Sequence, residues 1–206
     1  MKHIALLTTL LLSASLQAVE KPYDYVFFEN SLMKGDYFYS QAKYTSPSWI
    51  KNARHHLPVA GSVAFTPGNS LELTYVSAPG GDWYSEIQYC PVRGNDFFRE
   101  PSTLSMQVRL RESMNAAALP NIAIRYADST YTQYLNLRNY LKDTRPGVWH
   151  PVSIPLEDFG LNAVNDTNIK KLAAVALRPG TADGNEYTIY LDDIELLPAS
   201  LPSVSA

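Results

Sequence analysis

The stretch that decides the fold is EYTIYLDDIELL, residues 186–197. Its first half alternates apolar and polar side chains from Tyr187 to Leu191, which is the period of a half-buried β-strand. The alternation breaks at Asp193, which stands where the next apolar residue should be, and Ile194 resumes with the opposite parity. The break predicts either a β-bulge that absorbs one residue or a carboxylate that faces the interior, where it needs a cation or several hydrogen-bond donors.

Strand patterns also fill the sequence before this stretch. The clearest alternations cover residues 104–110, 122–126 and 152–154, and two further runs, 71–75 and 83–89, are joined by the turn sequence APGGD. These two runs predict a β-hairpin. About eight or nine strands separated by turn signals, with no amphipathic helix, predict an all-β protein, an antiparallel β-sandwich of the jelly-roll type. We expect a single domain over residues 20–198, followed by a frayed tail at 199–206.

The first 18 residues have the features of a secretory signal peptide. Lys2 and His3 form a short basic region, residues 4–16 form an apolar region, and Gln17-Ala18 is a cleavage site. The single cysteine, Cys90, lies far from this region, so a lipoprotein signal is not expected. Because no other long apolar run follows, the sequence predicts no transmembrane span and a periplasmic or secreted protein.

The composition restricts the possible partners. A formal net charge of −3 argues against nucleic acid or an anionic membrane as the main partner. Tyrosines outnumber phenylalanines by 14 to 7, which suits both sheet edges and sugar-contacting surfaces, because a tyrosine combines an apolar ring with a hydroxyl. One cysteine permits no internal disulfide, so the fold must depend on its core, with or without a metal.

The sequence contains none of the common catalytic motifs, such as GxSxG, HExxH or a phosphate-binding loop. The histidines at 55–56 are interpreted as solvated turn residues. The neighbouring acids at 157–158 and at 192–193 face opposite sides of a strand, so they cannot flank a glycosidic bond. Glu72 and Glu86, on the two strands of the predicted hairpin, are the one carboxylate pair that could.

A set of polar residues on the outward parity of the predicted strands has the chemistry that holds sugar hydroxyls. The set consists of Glu86, Gln88, Gln107, Arg109, Arg125, Tyr134, Asn136 and Arg178. Trp83, next to a turn, and Tyr134 are the residues that we predict to stack on the apolar faces of sugar rings. For Trp49, both packing against the protein and stacking on a ligand remain open. For Trp149, packing in the core or at the sheet edge is favoured. A solvated sheet face is the alternative interpretation of the polar set.

Two segments of the sequence resemble a known family. WHPVSIPLEDF, residues 149–159, together with TIYLDDI, residues 188–194, resembles the last third of the galactose-binding-like jelly-roll carbohydrate-binding modules. A longer likeness, which begins with FFENSLMKGDYFYS at residues 27–40, is to secreted bacterial modules that accompany glucoamylase-like and β-glucan-cleaving enzymes. The resemblance implies a jelly roll that binds carbohydrate without cleaving it.

The resemblance also implies a structural calcium ion between the first strand region and the last strand. Carried over by position, its ligands would be Glu29 and Asp192 or Asp193, and carbonyl groups near residues 34–36 would complete the six to eight oxygens that calcium takes. No enzyme domain is visible in this sequence. A separately encoded glycan-degrading enzyme is therefore a possible partner.

The leading hypothesis is a secreted, non-catalytic protein that binds a glucan-like polysaccharide. The enzymatic alternative is a small polysaccharide lyase or glycoside hydrolase on the same fold, with His55, His56 or Tyr134 as the base and Arg125 as the cation that neutralises a uronate. A third hypothesis, from a different class, is an assembly or adhesion subunit that binds protein.

Overall fold

A computed structural model of the chain describes residues 25–90, 101–161 and 169–198. The predicted signal peptide at 1–18 and the predicted tail at 199–206 lie outside these residues. None of the helices in the described ranges is long and apolar enough to cross a membrane.

The described residues form twelve β-strands and four short 3-10 helices. The strands are β1 Tyr25–Phe28, β2 Ser40–Thr45, β3 Trp49–Ile50, β4 Val59–Ala60, β5 Ser70–Val76, β6 Asp82–Gln88, β7 Pro101–Leu110, β8 Asn121–Tyr126, β9 Leu135–Asn136, β10 Trp149–Pro155, β11 Leu172–Arg178 and β12 Glu186–Pro198. The 3-10 helices are Ala116–Ala118, Leu137–Asn139, Leu156–Phe159 and Ile169–Lys171.

The strands form two antiparallel sheets that pack face to face. The seven-stranded sheet has the order β10-β7-β12-β5-β3, with β1 also paired to β12 and β4 to β5. The five-stranded sheet has the order β2-β6-β11-β8-β9. This arrangement confirms the predicted all-β, antiparallel sandwich.

The core lies between the two sheets and follows the alternation seen in the sequence. In β7, Leu104, Met106 and Val108 are buried in the core cluster, and the polar residues between them face away from it. In β11, Val175 and Leu177 belong to the same cluster. The period of two therefore identifies which side of each sheet faces the other sheet.

The closing strand β12 lies in the middle of the seven-stranded sheet. On one edge it pairs with β5 from Glu186 to Leu191 and then with β1 from Ile194 to Leu196; on the other edge it pairs with β7 from Ile189 to Pro198. The register against β7 shifts between Asp192 and Glu195, and Asp193 has a φ of 46°. The predicted bulge is confirmed, and it occurs where β1 replaces β5 as the neighbour of β12.

The predicted hairpin of residues 71–75 and 83–89 is wrong. Strand β5 belongs to the seven-stranded sheet and β6 to the five-stranded sheet, so the turn between them carries the chain from one layer to the other. Gly81 permits this crossing, because a Cβ at that position would lie 2.2 Å from the backbone nitrogen of Ser48. A glycine-rich turn does not reveal whether the next strand pairs with the previous one or crosses the sandwich.

Candidate functional site

A shallow groove with a volume of about 400 Å³ lies on the outer face of the five-stranded sheet. Strands β2, β6, β8 and β11 contribute to it, together with the loop that follows β8. The groove is lined by Gln41, Lys43, Tyr84, Glu86, Arg125, Ser129, Tyr131 and Arg178. Most of its surface is polar, which suits a ligand rich in hydroxyl groups.

Small residues on the central strand β11 make room for the larger side chains above the sheet. Ala176 pairs with Glu86 on one side and with Ala123 on the other, and Ala174 pairs with Gln88 and Arg125. Because successive residues of a strand face opposite sides, these alanines lie on the face away from the core residues Val175 and Leu177. Their methyl groups allow side chains from β6 and β8 to meet across β11.

Glu86 and Arg125 form the ion pair that crosses β11. The Arg125 Nε lies 2.5 Å from Glu86 Oε1, and the two side chains are only 16% and 5% exposed. Charges buried to this extent persist only when they are paired. Tyr131 adds a hydrogen bond from its hydroxyl to Glu86 Oε1 at 3.3 Å. The centre of the groove is thus a fixed polar network.

Three tyrosines and an arginine form a cluster at the groove: Tyr84, Tyr131 and Arg178 line it, and Tyr134 borders it. The rings of Tyr131 and Tyr134 are nearly parallel, with centroids 6.0 Å apart, and the hydroxyls of Tyr84 and Tyr131 are 3.1 Å apart. The guanidinium of Arg178 lies 5.5 Å from the Tyr84 ring and 5.7 Å from the Tyr134 ring. Its Nε also donates a hydrogen bond to the Tyr134 hydroxyl at 3.2 Å. These contacts hold the rings in place as a surface for stacking.

Three of the predicted sugar-binding residues line this groove, namely Glu86, Arg125 and Arg178. A fourth, Tyr134, borders it through its contacts with Tyr131 and Arg178. Gln88 shares their face of the sheet but lies outside the groove lining. Arg109 and Gln107 lie on β7 of the other sheet, so they cannot act with Glu86, and the prediction of one joint site for them is wrong. Sequence parity shows on which side of a strand a residue lies, but not in which sheet.

Asn136 has a structural role. Its amide donates to the Leu119 carbonyl at 3.1 Å and to Asn121 Oδ1 at 3.0 Å. Its Oδ1 accepts from the Arg138 backbone nitrogen and caps the following 3-10 helix. With these three bonds its polar atoms are occupied, so it is not available as the hydroxyl partner that we predicted.

Trp83 cannot stack on a ligand in this structure, because its side chain is buried between the sheets and the residue is only 1% exposed. Its ring lies 4.8 Å from the Tyr75 ring, and its Nε1 donates to Ser77 Oγ at 2.9 Å. The stacking role predicted for Trp83 is therefore corrected. Trp83 shares parity with the core residue Ile87, and this parity was the signal that could have excluded it.

Five groove residues were missed by the sequence interpretation: Gln41, Lys43, Tyr84, Ser129 and Tyr131. Tyr84 shares parity with Glu86 on β6, so the alternation that excludes Trp83 also identifies its neighbour. Gln41 is directly opposite Glu86, and Lys43 opposite Tyr84, on the adjacent strand β2. No pattern in the sequence indicates that β2 is the neighbour of β6.

The candidate catalytic groups do not all lie together. Glu72 and Glu86 lie in different sheets, so the one carboxylate pair that seemed possible is not a pair. His56 is hydrogen-bonded through Nδ1 to the Ser40 carbonyl at 2.5 Å. Burial raises the pKa of both Tyr131 and Tyr134, and Glu86 raises that of Tyr131 further. A tyrosine that acts as a base needs the opposite shift. In this cluster the Tyr131 hydroxyl donates to Glu86, and the Tyr134 hydroxyl accepts from Arg178.

The acids of the closing strand take different roles. Asp192 is fully buried on the outer side of the seven-stranded sheet, where its Oδ2 accepts hydrogen bonds from the backbone nitrogens of Phe65 at 2.8 Å and Thr66 at 3.3 Å. Its Oδ1 accepts from the Asp193 nitrogen at 2.9 Å. These three backbone donors satisfy the buried carboxylate of Asp192, which is one of the two ways in which an inward-facing acid can be stabilised.

Asp193 retains an oxygen that no described residue satisfies. Its Oδ2 accepts from Thr66 Oγ1 at 2.7 Å, whereas its Oδ1 is buried without a hydrogen-bond partner, as is Oδ1 of Asn30. Both residues border the turn at 66–69, where a Cβ on Gly68 would lie 2.6 Å from the Asn30 amide. Glu29, the third predicted ligand, directly follows β1 and is exposed. Buried side-chain oxygens that lack a donor are groups that calcium accepts as ligands.

The buried carboxylate of Asp192 makes stability depend on pH. Burial raises its pKa from 3.8 to about 6, although its backbone hydrogen bonds act in the opposite direction. Between these values the folded state binds a proton that the unfolded state does not, so this group stabilises the fold as the pH falls from about 7 to about 4. We expect the free energy of unfolding of the wild type, relative to Asp192→Asn, to rise on acidification by at most about 1.4 kcal/mol per pH unit. Urea titrations of both proteins at several pH values, in the presence of a chelator, measure this difference in the free energy of unfolding. If the difference does not change with pH, the pKa of Asp192 is not raised by burial.

One family model matches almost the entire described chain. The model of the family "Carbohydrate binding domain 30" matches residues 24–197. The match includes both sheets and every residue of the groove.

Similar solved structures share the fold. The family 30 carbohydrate-binding module of the cellulosomal cellulase Cel9D-Cel44B of Clostridium thermocellum is 17% identical, with a TM-score of 0.60, over 86% of this chain and 99% of that chain. Another crystal structure of a family 30 module is 17% identical, with a TM-score of 0.59, over 90% of this chain and 93% of that chain. A family 11 module of C. thermocellum, in complex with a β-1,3-1,4-mixed-linked tetrasaccharide, is 13% identical, with a TM-score of 0.52, over 79% of this chain and 91% of that chain.

Proposed function

Because this chain belongs to the carbohydrate binding domain 30 family, we propose that it is a secreted, non-catalytic protein that binds a β-linked glucan in the groove of the five-stranded sheet. The observation that carries the proposal is the groove itself, where Tyr84, Tyr131 and Tyr134 surround Arg178 beside a fixed ion pair. The apolar faces of glucose units stack on such rings, and their hydroxyls accept from arginine and donate to carboxylate. Specificity for a glucan is supported by the family 11 relative that holds a mixed-linked tetrasaccharide.

The carboxylates near the groove support a non-catalytic role. Glu86 is the one carboxylate in the described groove lining, and it is paired with Arg125. Asp82, on the same strand, lies 3.4 Å from Arg178. Four residues along a strand span about 13 Å, which exceeds the separation of about 5 to 9.5 Å that two-carboxylate glycosidases use. Hydrolysis would require a second acid that the described groove does not provide.

A panel of soluble polysaccharides tests the proposal. Affinity electrophoresis and calorimetry against mixed-linkage β-glucan, xyloglucan, xylan and amylose should show binding to a β-glucan, with modest affinity because the groove is shallow and polar. Assays for new reducing ends and for unsaturated products should stay at background after prolonged incubation. A folded protein that binds none of these polymers would refute glucan binding and favour the protein-binding hypothesis, and product formation would favour the enzyme.

We also propose that the protein acts outside the cytoplasm and brings glucan to a separately encoded enzyme. The basic and apolar character of residues 1–18 supports export. Cell fractionation with an epitope tag at the C-terminus measures the export of the protein. Mass spectrometry of the exported protein shows where its N-terminus begins. Retention of the protein in the cytoplasm with residue 1 intact would contradict it.

Calcium is proposed as a structural ion bound by Asp193 and Asn30, whose buried oxygens lack hydrogen-bond partners in the described residues. We expect chelation to lower the melting temperature by about 5 °C, since an ion that binds only the folded state stabilises it by mass action. Readdition of calcium should restore the melting temperature in the wild type but not in Asp193→Asn. Equal melting temperatures of the wild type with and without chelator would exclude the ion.

A further inference from the structure

A row of aromatic and charged residues crosses the outer face of the other sheet, the seven-stranded one. Trp149 of β10 is directly opposite Arg109 of β7, Arg109 is opposite Tyr190 of β12, and Tyr190 is opposite Glu72 of β5. In each strand these residues alternate with the core residues, and successive residues of a strand face opposite sides. All four therefore lie on the side away from the five-stranded sheet. Directly opposite residues of antiparallel strands have Cβ atoms about 5 Å apart, so their side chains are in contact range.

Phe65 packs against the Trp149 end of this row. Its ring is 48% exposed, and its centroid lies 6.0 Å from that of Trp149 in an edge-to-face arrangement. The loop that carries Phe65 is held to the sheet by the hydrogen bonds from its backbone to Asp192. Two aromatic rings are therefore fixed at one end of the row, and one of them is half exposed.

Arg109 is the charge in the row that lacks a partner. It forms no ion pair within the described ranges, and its buried Nε donates no hydrogen bond. Glu72, at the opposite end, is already neutralised, because Lys51 Nζ lies 2.6 Å from its Oε1. The row therefore offers one uncompensated guanidinium between two aromatic side chains, and it is complementary to an anion with an apolar face.

We propose that this row is a second ligand-binding surface, specific for a sugar unit that carries a carboxylate. The guanidinium of Arg109 binds the carboxylate, since arginine and carboxylate match in geometry and form charge-assisted hydrogen bonds. The rings of Trp149 and Tyr190 contact the sugar on either side. Because the groove and this row lie on opposite faces of the sandwich, one molecule can hold a neutral glucan and an acidic glycan at once.

Calorimetric titration with tri-galacturonate tests the second surface separately from the groove. The wild type should bind this probe, and Arg109→Gln should weaken binding by at least about tenfold. Binding should also weaken with added salt, because the contact is between charges. Trp149→Ala should reduce the affinity as well. The variant Tyr84→Ala/Tyr131→Ala, which alters only the groove, should bind tri-galacturonate as the wild type does.

The affinity for mixed-linkage β-glucan is the second measurement, and it shows whether each variant is folded. Arg109→Gln should keep wild-type affinity for that glucan, which shows that the variant is folded. If the wild type does not bind tri-galacturonate, or if Arg109→Gln binds it unchanged, the second surface is refuted while glucan binding in the groove still stands. Loss of tri-galacturonate binding in the groove variant would also refute it, because it would place the acidic sugar in the groove.

Discussion

Replacing Glu86 with leucine is expected to lower the free energy of unfolding by about 3–5 kcal/mol, the usual consequence of leaving one member of a buried ion pair alone. The cause is Arg125, whose side chain is 16% exposed and whose closest carboxylate contact is Glu86 at 2.5 Å. The double variant Glu86→Leu/Arg125→Met should recover most of the loss, because it removes both charges and fills the same space. Equilibrium unfolding in urea measures all three proteins.

The matched control is the ion pair of Lys51 and Glu72 on the other sheet. Its atoms are 2.6 Å apart, but the Lys51 side chain is 51% exposed, so water can replace the partner. We expect Glu72→Leu to cost less than about 1 kcal/mol. If Glu86→Leu costs no more than Glu72→Leu, or if the double variant at Glu86 and Arg125 is no more stable than the single one, the pair does not stabilise the groove as described.

The second large effect concerns binding. Removing two rings in the variant Tyr84→Ala/Tyr131→Ala should lower the affinity for β-glucan about a hundredfold, because a ring that stacks on the sugar contributes about 1.4 kcal/mol, a factor of about ten. The hydroxyls of these tyrosines are 3.1 Å apart, which is close enough for one sugar unit to reach both. Calorimetry with a mixed-linked tetrasaccharide measures the loss.

Tyr44→Ala provides the control for this variant. Tyr44 is 55% exposed and lies on β2, next to the groove residue Lys43, but it has the opposite parity and is not part of the groove lining. Its removal should leave the affinity for glucan unchanged. Equal losses in Tyr44→Ala and in the groove variant would show that the sugar is not held where we place it.

Local periodicity was sufficient to predict the fold class, although not which strands pair. The alternation in β7 and β12 places apolar side chains in one layer, and the parity break at Asp193 marks the bulge where β12 changes neighbours. The identity of the buried acid was not predictable. Asp192 has the parity of a solvent-facing residue, and it is buried only because the loop at Phe65 and Thr66 folds over it. Such a contact joins residues 127 positions apart, and no short-range pattern encodes it.

The groove could be predicted only in part. The position of Glu86 and Arg125 on the outer side of their strands could be predicted from the alternation and from their polar side chains. Their contact could not, because it depends on β11, which lies between them and has alanines at the facing positions. Trp83 was chosen for its ring and its nearby turn, although its parity belongs to the core. Arg109 was grouped with Arg125 because both alternate with apolar residues, and only strand pairing assigns them to different sheets.

The central position of β12 has a consequence for how the molecule is made. β12 is the inner neighbour of β1, β5 and β7, yet it follows all three in the chain, so their facing edges stay open on the ribosome until residues 186–198 have emerged. Open edges of this kind pair readily with other chains. The seven-stranded sheet is therefore completed only when β12 is in place, in a late step of folding.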